Sequence, residues 1–213
     1  YSDPLFTFFS GSKQRKTQSG CALLSVANEL DMTRALRIHD DGVKNSFAEG
    51  SVSSCCMHYG GAVGDHTTAS MIVRLDGGAP LVYLTDSSLP CVSLYKPYRF
   101  GNPTRPPISN AGDGSSAAYW VTAERYRRAL IGKTIPTEFY AERDALEQSW
   151  FRDVSSDARA MDELLQRAVR EEAAFYDRYD PAKMALSPGS RAFRKRWDKK
   201  NAAFFSTRQT DGK

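Results

Sequence analysis

"TTASMIVRLDGGAPLVYLTDSSLPCVSLYKPYRF", Thr67 to Phe100, carries a two-residue hydrophobic period interrupted by turn residues. Ala69, Met71, Val73 and Leu75 fall on one side of an extended chain, and Thr68, Ser70, Ile72 and Arg74 on the other. Asp76-Gly77-Gly78-Ala79-Pro80 predicts a turn into "LVYLTD", and "CVSLYKPYRF" predicts a third strand ended by its proline. Three short strands joined by tight connections make an antiparallel meander.

Outward from the meander the period changes. Cys21, Leu24, Ala27 and Leu30 recur every three residues, which predicts a helix from Thr17 to Leu30. Asp31 is the expected cap of a second helix, "MTRALRIHDDG", that stops at Gly42. Downstream, "GNPTRPPISNAGDGSS" (101–116) has the composition of a surface loop or linker. Beyond it, "SSAAYWVTAERYRRALIG" and "IPTEFYAERDALEQSWF", with Thr137 as a cap, both read as helices. A stripe of Met161, Leu164, Leu165, Ala168, Val169, Glu172, Phe175 and Tyr179 predicts a long helix stopped by Pro181. Helices, then antiparallel strands, then helices make an α+β protein rather than one of alternating βαβ units. The expected organisation is one domain portion over 1–186, with strands in about 51–100 and helices in about 116–180, followed by a basic aromatic helical tail over 187–213.

The composition sets bounds. At 213 residues, 41% hydrophobic and 25% charged, the chain is long enough for one domain with a real core. No run of about 18 uncharged apolar residues occurs, so no membrane span or membrane partner is expected. Cys21, Cys55, Cys56 and Cys91 lack CxxC spacing, which favours reduced thiols and the cytoplasm or another reducing intracellular compartment. His39, His58 and His66 lack HExxH spacing, and one thiol beside one histidine falls short of a four-ligand set, so neither a metal nor another cofactor is expected. The opening "YSDPLFTFF" reads like the middle of a folded chain, which suggests that polypeptide precedes Tyr1. Of the net charge of +4, the stretch Ser187 to Lys213 holds +6. Its Phe193, Trp197 and Phe204 recur at helical offsets suited to docking.

Just before the meander lies "SCCMHYGGAVGDHTTAS", Ser54 to Ser70. On an extended strand Cys56 and His58 share a side at about 7 Å, a loose thiol and imidazole dyad, with Cys55 on the other face. No phosphate-binding loop accompanies them, since the Walker lysine is missing, and no GxSxG elbow occurs.

Four ordered motifs carry a resemblance. Cys56-Met57-His58, Thr67-Thr68-Ala69-Ser70, Tyr83-Leu84-Thr85 and Ser93-Leu94-Tyr95-Lys96-Pro97-Tyr98 look like the C-terminal half of the secernin and dipeptidase family of N-terminal nucleophile cysteine hydrolases. The similarity runs over about Lys16 to Tyr179. It implies a four-layer αββα sandwich, incomplete in this chain, and an acyl-thioester mechanism that needs no cofactor. In that family the nucleophile is a cysteine at the mature N-terminus, activated by its own α-amine. This chain begins with tyrosine, so the implied nucleophile lies upstream, in a missing N-terminal half or a second chain.

On this reading the chain supplies pocket walls for a small peptide or acyl-amide substrate. His58, Thr68 and Ser70 are the substrate-binding candidates, Cys56 and His58 the remote catalytic ones, and Lys96 and Arg99 surface charges. The alternative is an inactive subunit that keeps the scaffold and joins a larger assembly, meeting RNA or an acidic protein through Arg194, Arg196, Trp197, Lys199 and Lys200.

Overall fold

The computed structural model describes residues 7, 10–61, 64–100 and 115–206. In chain order the helices are α1 (Ser12–Leu23), α2 (Glu29–Leu36), α3 (Ser115–Ala129), α4 (Thr137–Arg152), α5 (Ala158–Arg178) and α6 (Arg191–Ser206). The strands β1 (Met71–Arg74), β2 (Leu81–Leu84) and β3 (Lys96–Arg99) lie between α2 and α3 and pair as an antiparallel sheet in the order β1-β2-β3. The architecture is α+β, as the change of period predicts. The expected loop over 101–116 lies outside the described residues except for its last two serines, which begin α3.

Local chemistry sets the helix boundaries. Asn28, not Asp31, caps α2: its side chain accepts from the Asp31 amide, while the Asp31 carboxylate accepts from the Ala27 amide, a reciprocal pair that satisfies two otherwise orphaned donors. Helix α1 starts ahead of the predicted 17–30 span and ends inside it at Leu23; it buries none of its residues, and Leu24 and Ala27 fall past its end. Thr137 is the first helical residue of α4, and Pro136 takes the cap position. Asp157 caps α5, whose Met161, Leu164, Leu165, Ala168 and Phe175 form the buried stripe read from the sequence.

The two faces of the sheet differ. Ile72, Tyr83 and Pro97 stand in register on one face, where Tyr83 packs on Phe151 of α4 at 4.2 Å between ring centroids. On the other face Met71 is paired with Leu84 and Val73 with Val82. Its β3 end is closed where Lys96 bonds Glu172 of α5 at 2.8 Å and Tyr119 of α3 bonds the same carboxylate at 2.6 Å. Its β1 end is open, with Met71 58% and Val73 42% exposed.

Every residue from Thr85 to Tyr98 is buried, although the stretch is mostly connection rather than strand. A buried connection is stable only if its backbone polar groups find partners. Arg37 supplies several, donating to the carbonyls of Pro90 at 2.7 Å and Ser93 at 2.8 Å while pairing with Glu147 of α4, which in turn accepts from the Tyr95 amide at 2.7 Å. Arg127 of α3 donates to the hydroxyls of Ser87, Ser93 and Tyr176, and Arg143 of α4 to the Cys91 carbonyl.

Lys96 is fully buried, contrary to its expected place on the surface. Burial opposes its charge, but Glu172 and Asp86 outweigh that and hold the ammonium above its usual range. Arg99 is half-buried, donating to the Ser155 carbonyl. Pro97 sits inside β3 rather than ending it, which an edge strand tolerates.

Candidate functional site

The stretch around Cys56 and His58 is not an extended strand. It bends, held by the Cys56 amide donating to the Ile38 carbonyl at 3.1 Å and the His58 amide donating to the Ser51 carbonyl at 2.8 Å. Gly50 and Gly60 let the two arms of the bend cross closely, since a Cβ on Gly60 would come within 2.2 Å of the Glu49 carbonyl oxygen. The bend brings Cys56 Sγ to 3.6 Å from His58 Nε2, about half the spacing expected for an extended strand.

Two further groups converge on that imidazole. His39, three residues past α2, places its Nε2 3.2 Å from His58 Nε2. Cys91, in the 3₁₀ turn Pro90–Val92, places its Sγ 3.4 Å from the same nitrogen. The four donor atoms lie within 4.8 Å of one another, in a pocket of protein where Cys56, His58 and Cys91 are buried and His39 is half-buried. The turn that presents Cys91 is fixed from three sides: Arg37 holds Pro90, Arg143 holds the Cys91 carbonyl, and the Leu89 amide donates to the Thr67 carbonyl at 2.8 Å. Leu89 has a positive φ of 55°, a conformation costly for a branched side chain and one that marks a structure imposed by its surroundings.

The two thiols titrate as a pair. Burial raises Cys56 well above the ordinary thiol range, and the neighbouring Cys91 adds to it. Burial alone would raise Cys91 too, but hydrogen bonding from Cys56 and the two imidazoles reverses this and takes it well below. Burial opposes the charged form of His39, but the hydrogen bond to Cys91 and the charge of Cys91 together outweigh it and raise the imidazole. The cluster is rich in electron-pair donors that could hold a metal ion.

The sequence reading found half of this set. It placed Cys56 and His58 together but had no ground for His39 or Cys91, and it set metal binding aside because no local spacing supplied four ligands. The fold supplies them from three separated segments, so that ground falls. His66 stays outside the cluster, half-buried over Trp197 and 3.9 Å from Glu124.

The other candidates divide. His58 is turned into the cluster and does not line an open pocket. Thr68 is exposed and Ser70 half-buried, at the start of the open β1 edge. The Tyr95 hydroxyl donates to Ser70 Oγ at 2.5 Å, and the Ser70 amide donates to Thr85 Oγ1 at 3.1 Å. In α6 the expected apolar anchor Trp197 is buried, with its Nε1 donating to the Tyr59 carbonyl at 3.0 Å, and Phe193 is buried beside it. Arg196 is half-buried and donates to the Gly60 carbonyl at 3.1 Å. The tail's aromatic face is thus spent on its own domain, while Arg194, Lys199 and Lys200 remain exposed. Among the described residues no helix is long and apolar enough to cross a membrane. No family model, no curated protein and no solved structure matches this chain.

Proposed function

We propose that the chain is the C-terminal portion of a secernin-like thiol amidohydrolase or dipeptidase, forming one wall of a cleft whose nucleophile lies on polypeptide ahead of Tyr1. The observation that carries this reading is the open apolar end of the sheet, where Met71, Val73, Val82 and Leu84 share a face; Thr68 and Ser70 lead into β1 at the same edge with the opposite side-chain alternation. A second sheet stacked there would bury the apolar row and complete an αββα sandwich.

Ser70 suits the wall of an acyl-transfer site. Because the Tyr95 hydroxyl donates to Ser70 Oγ, the proton on Ser70 is free to donate to an acyl oxygen. Burial raises the Tyr95 phenol, which keeps it a donor at neutral pH. In the reaction the upstream thiol passes its proton to a base, the thiolate adds to the amide carbonyl, and the amine leaves with a proton as the acyl-thioester forms. Water then adds to the thioester and releases the acid and the thiol.

The native protein's mass and N-terminal residue test the reading directly. A cysteine-led chain that extends ahead of Tyr1, or a tightly held cysteine-led second chain, is expected; a native chain that starts at Tyr1 without such a partner overturns it. In the complete enzyme, Ser70→Ala should lower kcat about 100-fold with little change in KM. Unchanged kcat, or activity in the isolated 213-residue chain that stops with Cys56→Ser, would also overturn it.

A further inference from the structure

We propose that His39, Cys56, His58 and Cys91 form a structural zinc site that staples three segments of the fold. Two thiolates and two imidazoles are the donor types zinc prefers, and four of them complete its tetrahedral shell. The spacings agree. With Zn–N near 2.05 Å and Zn–S near 2.3 Å, a tetrahedron has edges of about 3.3 Å between nitrogens and about 3.6 Å between nitrogen and sulfur. The observed separations are 3.2 Å for His39 and His58, 3.6 Å for Cys56 and His58, and 3.4 Å for Cys91 and His58. The widest pair lies within 4.8 Å, so a shift of about 1 Å by one donor closes the shell.

Charge gives a second reason. Two thiolates cancel a divalent cation, and two neutral imidazoles add nothing, so the filled site is neutral where an unbalanced ion would be costly. Softness gives a third: paired thiolates disfavour magnesium and calcium, which take oxygen ligands, and the tetrahedral S₂N₂ set favours zinc. Burial of three of the four ligands leaves no open coordination position for substrate, which separates a structural centre from a catalytic one. The ligands also arrive on held backbone: the Cys56 amide is bonded to the Ile38 carbonyl next to His39, and Arg143 grips the Cys91 carbonyl. The site does not depend on the amidohydrolase reading, because none of its four ligands lies on the strands that form the open sheet face.

The test is metal analysis of the intact chain, expressed in zinc-supplemented medium and dialysed against metal-free buffer. A single zinc per chain is expected, released by a thiol-modifying mercurial. Exchange with cobalt should give the visible ligand-field bands of a tetrahedral site and near-ultraviolet thiolate charge transfer. Cys91→Ser and Cys56→Ser should each lose zinc or weaken its binding by at least 100-fold, whereas Cys21→Ser and Cys55→Ser, outside the cluster, should retain it. If the serine variants fold poorly, the cobalt spectrum of the unmodified chain still decides. Absence of stoichiometric metal, octahedral cobalt bands, or a mass two hydrogens short from a Cys56 to Cys91 disulfide would each overturn the proposal. None of these readouts requires catalytic activity, so a failed zinc test leaves the amidohydrolase reading standing, and the reverse holds.

Discussion

The segment from Thr85 to Tyr98 and the neighbouring strand β1 invert the usual placement of polar and apolar groups. The first is rich in serine, with Asp86 and Lys96, and is entirely buried; the second presents Met71 and Val73 to solvent. The contrast separates a segment whose partners lie within this chain from a sheet face left exposed among the described residues. A buried polar segment is stable only when its partners are present, and here Arg127, Arg143, Glu147 and Glu172 arrive from helices of this chain and Arg37 from the residue that closes α2. An apolar sheet face gains nothing from water and is stabilised only when another layer covers it.

The sharpest way to break the polar side is to remove one of its cations. Arg37→Ala would leave Glu147 charged, buried and without its bidentate partner, and would free the carbonyls of Pro90 and Ser93 as well. The expected loss is about 3–5 kcal/mol, measured by urea unfolding followed by circular dichroism. Arg37→Lys keeps the charge but not the planar fork, so it should recover only part of the loss. A cost below about 1 kcal/mol would mean that the buried segment does not rest on this clamp.

A second effect follows from the phenols around that segment. Burial raises Tyr83, Tyr95, Tyr98, Tyr119 and Tyr176 above the ordinary phenol range. In the unfolded chain these groups ionise near pH 10, while the folded protein retains their protons to higher pH. Their contribution is therefore complete below about pH 10 and is lost as pH rises beyond it, by up to about 1.4 kcal/mol per pH unit for each phenol. Unfolding midpoints should fall steeply from about pH 10, with phenolate absorbance rising together with the loss of helix signal. Phenolate absorbance that rises before unfolding would place these rings in solvent and remove the contrast between the two regions.

Much of this was legible in the sequence, for reasons that also explain what was not. Alternation in "SMIVRL" and "LVYL" identifies β1 and β2 because the two-residue side-chain period is local. The α5 stripe is legible in the same way, through its helical period. The site is different. His39 and Cys91 are separated from Cys56 by stretches with no periodic relation to it, and only the tertiary arrangement brings them together. Lys96 was read as a surface charge because its partner Glu172 lies on a distant helix, and sequence alone gives no sign of an ion pair formed after packing. Trp197 shows the opposite error: the amphipathic spacing was right, but the surface it fits is Tyr59 of the same chain, with the neighbouring Arg196 donating to the Gly60 carbonyl.

The smallest expected effect is the most informative about the open face. Val73→Lys replaces a β-branched side chain that is already 42% exposed, in a row where its partner Val82 is only half-buried. In this chain alone little apolar surface leaves water when Val73 is in place, so the substitution should change the unfolding free energy by about 0.5 kcal/mol or less. In a protein where a second layer covers the sheet, the same lysine would have to bury its charge without a partner, and the cost would rise to several kcal/mol. Equal small effects in both settings would show that nothing stacks on β1. A large effect in the isolated chain would show that Val73 is covered already, and the difference between the two regions would then be one of chemistry and not of completeness.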